Sequence, residues 1–453
     1  MIDIASFIPE ELKEIAKLFP EQAPLYVVGG FVRDAIQYNI ASQDIDVASA
    51  LTPPELAYVL KGSKYSLKAA SLRLGTMIIK GERSYEYTAF RVDSYPDGVG
   101  NHSPQEVIFT RKLEKDARRR DFKCNAVYYD IRADKLVDPL GGIQEIQNKV
   151  LSTTIEPDVV LSQDGLRIMR LARMISVHGY TVEEGTKKAA KILSSRLRDI
   201  SIERITTELV KILLGDNVYA GLSFLREIGA WQFIIPELAN CEGVEQNPKY
   251  HKYDVMEHTF KTVENAPKKI RIAALLHDIA KPVCQEKDGN MYKHDIIGAE
   301  MAKKILKRMK FPNQIIDDTA ELVGTHMFDL TRTAKKATIR RFIAAHADKI
   351  PAIVALQKAD ALATGMVDKP QESRIQAELL AMKDENVPLN IKEMKYGGTE
   401  LAKIGFRGKE IGAVLDEMFD NVIIGCIKND EEVLDKYAKK KWEKLHGNSN
   451  SNN

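Results

Sequence analysis

Four cysteines in 453 residues, at Cys124, Cys241, Cys284 and Cys426, leave little room for sulfur chemistry. They lie far apart and form no CxxC pair, which excludes a disulfide framework and a cysteine zinc site and fits a reducing, cytoplasmic setting. No apolar run approaches the roughly 18–20 residues that cross a bilayer. The opening MIDIASFIPEELKEIAK has no basic segment ahead of an apolar stretch, so no secretory leader is expected. Charge of one sign is missing too: 66 basic side chains against 64 acidic ones leave only +2. A polyanionic partner would therefore have to be met by local clusters, not by a global field. No repeat of fixed period is present, and low complexity is confined to the terminal GNSNSNN, which reads as disordered. What remains is an ordinary globular composition, too long for one core, and two to four domains are expected.

The densest chemistry runs from Tyr26 to Val47. Tyr26, Val27 and Val28 read as a short strand, and Gly29-Gly30 as a turn that lets backbone N–H groups approach a ligand. Phe31, Val32, Ala35 and Ile36 then repeat at helical spacing around Arg33 and Asp34. Asp44 and Asp46 follow with one residue between them, so in an extended segment both carboxylates point to one face. Two such carboxylates repel unless a cation lies between them; beside a glycine turn suited to phosphates, that cation is most simply Mg²⁺. An acidic pair alone is more often a solvated turn. The order strand, glycine turn, helix, DxD is what favours nucleotidyl transfer.

The first 150 or so residues mix strand and helix signals. SLRLGTMIIKG and SYEYTAFRV read as paired strands connected near Gly81, AVYYDIRADKLVD as another strand–turn–strand, and SYPDGVGNHSP (94–104) as an exposed loop. From Pro157 onward strand signals nearly vanish and helical spacing takes over. The expectation is an α+β head followed by a long all-α body.

Two further clusters lie in and just after the head. In EKDARRRDFKCNA (114–126), three consecutive arginines repel one another but suit a triphosphate, whose oxygens accept from their planar forks. A solvated basic helix end is the plainer alternative. In QDGLRIMRLAR, Asp164, Arg167, Arg170 and Arg173 recur at intervals of three, so neighbours adjoin on a helix while the series winds around it. A carboxylate accepts from the exocyclic amine of cytosine or adenine, and a guanidinium donates to the ring nitrogen or carbonyl beside it. Uracil and guanine present the inverse pattern. Asp164 and Arg167 on one helix could thus admit C and A and reject U and G without a template. A surface ion pair is the commoner use of such spacing.

Taken in order, these clusters resemble the class II tRNA nucleotidyltransferases, the CCA-adding enzymes and their bacterial poly(A) polymerase relatives. GGFVRD with DID matches the first family motif, RRDF…NA the second, DPLGG (138–142) the third, QDGLR the fourth (Glu-Asp-x-x-Arg in the family) and SIERITTEL (201–209) the fifth. The resemblance covers about residues 20–225. It implies a polymerase-β-like nucleotidyltransferase head over 1–150 and a helical neck over 151–225. It also implies Mg²⁺ on Asp44 and Asp46, and a triphosphate on Gly29, Gly30, Arg33 and Arg120 with Arg119 and Asp121 beside it. Asp164, Arg167, Arg170 and Arg173 would select and hold CTP or ATP, with the tRNA 3′ end as primer. Glu86 is a candidate third carboxylate that takes the primer's proton, and Arg91 with Asp93 is a basic/acidic pair that in the family accompanies the switch from C to A. Gln163 stands where the family has Glu, Gly165 where Pro is common and Lys123 where Thr is common; none of these is expected to touch a residue with a direct chemical role.

Farther on, His258, His277-Asp278, His294, His326 and Asp360 follow the H…HD…H…H…D order of HD-superfamily phosphohydrolases. Imidazoles with carboxylates suit Mn²⁺, Ni²⁺, Fe or Zn²⁺, and six ligands could hold two ions. His251 reads as filler. This implies an HD domain over 226–380, active or serving only to grip tRNA, and a helical tail over 381–453. Lys335, Lys336, Arg340 and Arg341, and Lys439, Lys440 and Lys441 near the end, are candidate RNA contacts. Neither DNA nor a membrane is expected as partner. The rival functions are a CC-only or A-only adding enzyme, a poly(A) polymerase, and an HD phosphohydrolase whose head only binds RNA.

Overall fold

The computed structural model describes residues 3–95, 104–366 and 371–446. Most of the expected 94–104 loop and the terminal GNSNSNN lie outside the described residues. The chain forms two compact units, Met1–Asn240 with Arg308–Phe311, and Cys241–Lys307 with Pro312–Asn453.

The described residues of the first unit hold eleven strands, β1 (Tyr26–Val28), β2 (Asp46–Ser49), β3 (Ser66–Ser71), β4 (Thr76–Lys80), β5 (Ser84–Ala89), β6 (Arg91–Ser94), β7 (Glu106–Phe109), β8 (Tyr128–Asp130), β9 (Lys135–Val137) and the short parallel pair β10 (Val150–Leu151) and β11 (Thr181–Val182). Seven of them form one mixed sheet in the order β3-β4-β5-β2-β1-β8-β9, and β6 and β7 make a separate hairpin. β2 and β5 run parallel, with Asp46 opposite Glu86. Val27, Val47, Tyr85 and Tyr87 are buried while Asp46 and Glu86 on the intervening positions are exposed, so the period-two pattern fixes which side chains leave the core. Helices complete the unit, among them Pro157–Gln163, Leu166–His178 and Ile202–Leu213.

Three boundaries differ from the sequence reading. SLRLGTMIIKG is not one strand: β3 ends at Ser71, and a turn closing at Gly75, φ +66°, precedes β4. SYEYTAFRV breaks at Phe90 into β5 and β6. Asp164 does not share a helix with Arg167; it sits in an extended conformation (φ −147°, ψ 106°) between Gln163 and the helix that begins at Leu166. Gly165 is what lets this break pack, because an added Cβ would stand 2.8 Å from the Arg196 carbonyl oxygen.

The described residues of the second unit are helical, from Val255–Asn265 through Arg271–Leu276, Asn313–Thr325 and Ile350–Ala363 to Glu431–His446. A small separate core of Tyr396, Leu401, Phe406, Val414, Met418, Val422, Leu434 and Ala438 closes its end. No described helix is long and apolar enough to cross a membrane.

Candidate functional site

Two clusters carry chemistry, one in each unit. In the first unit the chain leaves β1 through Gly29, at φ +81° and ψ −138°, a conformation that a side chain would strain. A Cβ there would lie 3.6 Å from Asp46 Oδ2, so the glycine backbone faces the carboxylates directly. Asp44 precedes β2, yet burial still alternates through Asp44, Ile45, Asp46 and Val47, leaving both carboxylates exposed. The Asp46 carboxyl is pushed up by desolvation and by Asp44, with Arg120 and Arg170 pulling it down. Glu86 is pushed up by desolvation and by Asp46. Carboxylates crowded in this way suit a divalent cation.

Around them, most arginines are tied to a carboxylate. Arg33 reaches Asp34 at 2.7 Å and Asn125 at 2.8 Å. Asp116, fully buried, takes Arg119 at 2.7 Å, Arg120 at 3.2 Å and the Tyr128 hydroxyl at 2.7 Å. Burial would raise the Asp116 carboxyl, but these partners hold it below its ordinary value. The arginine run thus does not wait unpaired for a triphosphate; the missed Asp116, three and four residues upstream of two of them, was the legible signal. Arg170 binds Asp121 at 2.7 Å, and with Arg167 nearby this overrides burial and holds the Asp121 carboxyl down at about 2. Arg173 binds Glu208 at 2.9 Å, and Arg91 binds Asp93 at 2.8 Å.

Asp164 accepts from the Leu166 N–H at 3.0 Å and from Arg204 at 3.0 Å. Arg167 is buried and donates to the Val160 carbonyl at 2.9 Å, Gln163 Oε1 at 3.0 Å and the Arg119 carbonyl at 3.1 Å. Gln163, expected to touch nothing of chemical consequence, therefore holds Arg167, the expected base-selecting arginine. Burial raises the Tyr95 phenol, on which Arg167, Asp93, Asp164 and Arg91 also act electrostatically. Asp138 of the third motif caps the helix Gly142–Asn148 through the Gly142 and Ile143 N–H groups at 2.8 and 2.9 Å.

In the second unit the six HD residues converge. Asp278 is central: Oδ2 lies 3.1 Å from His277 and 3.5 Å from His258, and Oδ1 lies 3.2 Å from His294 and 3.9 Å from His326. Asp360 stands 2.9 Å from His258 and 3.8 Å from His277. The Nδ1 atoms of His277, His294 and His326 face the carbonyls of Ala274, Met291 and Val323 at 2.8, 2.7 and 2.7 Å. A carbonyl only accepts, so each Nδ1 carries a proton, and in the neutral ring each Nε2 turns a lone pair inward. His294 and His326 then set two lone pairs 3.3 Å apart, a repulsive arrangement that a cation would relieve. The donor set fits metal in two groups sharing Asp278, with His258 and His277 on one side and His294 and His326 on the other. Burial would lower the His277 imidazole, but Asp278 and Asp360 raise it; His326 is pushed down by burial to about 4. Lys281 Nζ reaches Asp278 Oδ2 at 2.6 Å and Gln246 at 2.6 Å, and the His251 ring meets that of His258 edge-on at 4.8 Å. His251 is therefore not filler but part of the wall of this site.

Residues 25–152 match the Poly A polymerase head domain model, 179–242 the probable RNA and SrmB-binding site of polymerase A, and 249–353 the HD domain. An A-adding tRNA nucleotidyltransferase from Deinococcus radiodurans is 30% identical over 440 residues, covering 91% of this chain and 94% of that protein. This chain belongs to the tRNA nucleotidyltransferase family. The CCA-adding enzyme of Enterococcus faecalis is 28% identical, covering 96% and 98% of the two chains, and the CC-adding tRNA nucleotidyltransferase of Thermus thermophilus 29%, covering 91% and 93%. The fold is that of the Bacillus stearothermophilus CCA-adding enzyme crystallised with CTP, with a TM-score of 0.67 at 20% identity over 97% of this chain and 98% of that one.

The basic runs of this tRNA nucleotidyltransferase need correction. Arg340 is buried between Glu378 and Glu385, which makes it a structural cation, and Arg341 is paired with Asp420 at 2.6 Å. Lys336 stands 3.6 Å from Glu378, whereas Lys335 is exposed with no ion pair among the described residues. On the last helix Lys439 pairs with Asp435 at 2.7 Å and Lys441 with Glu417 at 2.6 Å. Lys436, Lys440 and Lys444 are exposed and form no ion pair among the described residues, on one helical face at intervals of four.

Proposed function

We propose that this tRNA nucleotidyltransferase builds and repairs the 3′-terminal CCA of tRNA from CTP and ATP, releasing pyrophosphate. The observation that carries the reading is the Asp164–Arg167 pair, a fixed acceptor beside a buried donor. Asp44 and Asp46 would hold Mg²⁺, which when bound lowers the cost of charge on the phosphates. Glu86, raised by desolvation and by Asp46, takes the proton of the primer 3′ oxygen. The Gly29 and Gly30 backbone, Arg33, Arg119 and Arg120 bind the triphosphate, with Asp121 orienting Arg170 and Glu208 orienting Arg173. Asp164 accepts the exocyclic amine of C or A, and Arg167 donates beside it. The Arg91–Asp93 pair favours full CCA addition over CC-only, A-only or poly(A) addition. Residues 1–150 act as catalytic head, 151–225 as neck, 226–380 as HD domain and 381–453 as tail. Lys335, Lys336, Arg341, Lys439, Lys440 and Lys441 remain candidate RNA cations, and only the buried Arg340 leaves that set.

The HD cluster supports a second activity, phosphate-ester hydrolysis on two ions held by His258, His277, Asp278, His294, His326 and Asp360. The inward lone pairs at 3.3 Å favour it over a purely architectural body. The test is a tRNA lacking its 3′ end, incubated with each labelled nucleotide in turn. Addition of C, C and A and nothing from UTP or GTP supports the reading; C-only, A-only or runs of A would replace it with the corresponding rival.

A further inference from the structure

The helix Glu10–Leu18, ahead of β1, carries none of the motifs, yet it places a carboxylate inside the head. Glu11 is buried and forms no ion pair among the described residues. Its hydrogen-bond donors all belong to the hairpin of β4 and β5. Oε1 accepts from the Glu82 N–H at 2.5 Å, and Oε2 from the Arg83 N–H at 3.2 Å and the Tyr85 hydroxyl at 3.0 Å. Burial, and then the bond to Glu11, push the Tyr85 phenol up, which keeps its hydroxyl a donor. A Cβ at Gly81 would stand 2.1 Å from Oε1, so the glycine is what admits the carboxylate. Burying a carboxylate among neutral donors is costly, and three charge-assisted bonds offset that cost. Closing the hairpin does not require them: Lys80 already pairs with Ser84, and the Gly81 N–H meets the Arg83 carbonyl at 2.9 Å.

Resting on the reading that Glu86 takes the primer's proton, we propose that Glu11 is a positioning residue that sets Glu86 against Asp46. Tyr85 and Glu86 are neighbours on opposite faces of β5, so a hydroxyl fixed behind the sheet fixes the carboxylate in front of it. The turn that Glu11 holds ends at Arg83, three residues before Glu86. Glu86 lies opposite Asp46 on β2 and Ile78 on β4, so play in the hairpin becomes play between the two carboxylates. Glu14, one turn along the same helix, supplies the contrast. It accepts from the Tyr65 hydroxyl at 3.1 Å, ahead of β3 and outside this hairpin.

Single-turnover addition of C to primer tRNA at saturating CTP and Mg²⁺ separates the two roles open to Glu11. The amplitude reports the fraction of folded, active enzyme, and the rate constant reports the assembled site. Glu11→Gln keeps the shape but turns an amide NH₂ toward a donor. Its rate constant is expected to fall about tenfold, the scale of one lost hydrogen bond to a charged group. Tyr85→Phe, which removes one of the three bonds, should move the rate constant the same way by a smaller factor. The CTP concentration giving half the maximal rate, the rejection of UTP and primer binding should match wild type in both. Glu14→Gln should leave the rate constant unchanged. A merely structural Glu11 would lower the amplitude and the thermal midpoint and leave the rate constant alone. A wild-type rate constant in Glu11→Gln, or an equal loss in Glu14→Gln, overturns the inference. A wild-type rate constant in Glu86→Gln would instead overturn the proton-acceptor reading beneath it.

Discussion

Replacing Asp164 by Asn tests the selection mechanism with little damage to the fold. The carboxylate has two structural duties: one oxygen accepts the Leu166 N–H at the start of the helix Leu166–His178, and the other pairs with Arg204 at 3.0 Å. Asn keeps the first, since Asp and Asn cap about equally well, whereas Ala would cost about 1 kcal/mol there. Arg204 is 39% exposed in this pair, so losing it costs at most about 1 kcal/mol. The chemical change is larger. The face that accepted an exocyclic amine now carries an amide NH₂, which clashes with the amines of C and A and suits the O4 carbonyl of uracil. Losing one bidentate base contact is worth about 1–3 kcal/mol, so discrimination against UTP should fall by roughly 5- to 150-fold. The assay is kcat/KM for CTP, ATP, UTP and GTP on tRNA lacking its 3′ end, with primer binding measured alongside. An Asp164→Asn enzyme that is slower but as selective as wild type would refute the reasoning.

Asp44→Asn and Asp46→Asn should each abolish C and A addition together while primer tRNA still binds; near-normal addition with Mg²⁺ by either would remove them from the metal site. His277→Ala combined with Asp278→Ala should lose bound Mn²⁺ or Ni²⁺ by elemental analysis and any hydrolysis of a 2′,3′-cyclic nucleotide, with CCA addition intact. Loss of addition in a folded double mutant would show that the two activities are coupled. Asp121, held at about 2 in the folded protein against roughly 3.9 unfolded, contributes stability that is present above about pH 4 and lost as pH falls through about 2. That contribution is on the order of 2–3 kcal/mol, so Asp121→Asn should be less stable at neutral pH and show a flatter loss of helicity from pH 5 to 2. An equally steep acid transition in the variant would assign the effect elsewhere.

The parts legible in the sequence are those where residue type and spacing leave few alternatives. Gly29, Asp46 and the six HD residues each occupy the expected structural context because a φ of +81°, an exposed strand position or an inward imidazole admits few substitutes. The helix break at Asp164 was not legible, because QDGLRIMRLAR has uninterrupted helical periodicity. What ends the first helix is the close approach of the Arg196 backbone at Gly165, a tertiary fact. Arg340 misled for a related reason. A basic residue in a basic run reads as surface, and only Glu378 and Glu385, 38 and 45 residues away, make its burial affordable. Asp116 was within reach, since it lies three and four residues before the arginines it holds, whereas Gln163 meets Arg167 across the helix break.

The parallel pairing of β2 with β5 makes the hydrophobic core a ruler for the reaction. Asp46 faces Glu86 only because Tyr85 and Tyr87, on either side of Glu86, are both sunk in the interior. A slip of one residue would pull two aromatic rings into water and drive a carboxylate into the core, so the misaligned sheet is an energetically closed option. The spacing of the two carboxylates is thus inherited from the packing of the tyrosines behind them. Trimming either tyrosine should blur the spacing of the carboxylates while the protein still folds, and chemistry would fail at a lower dose of core damage than stability does.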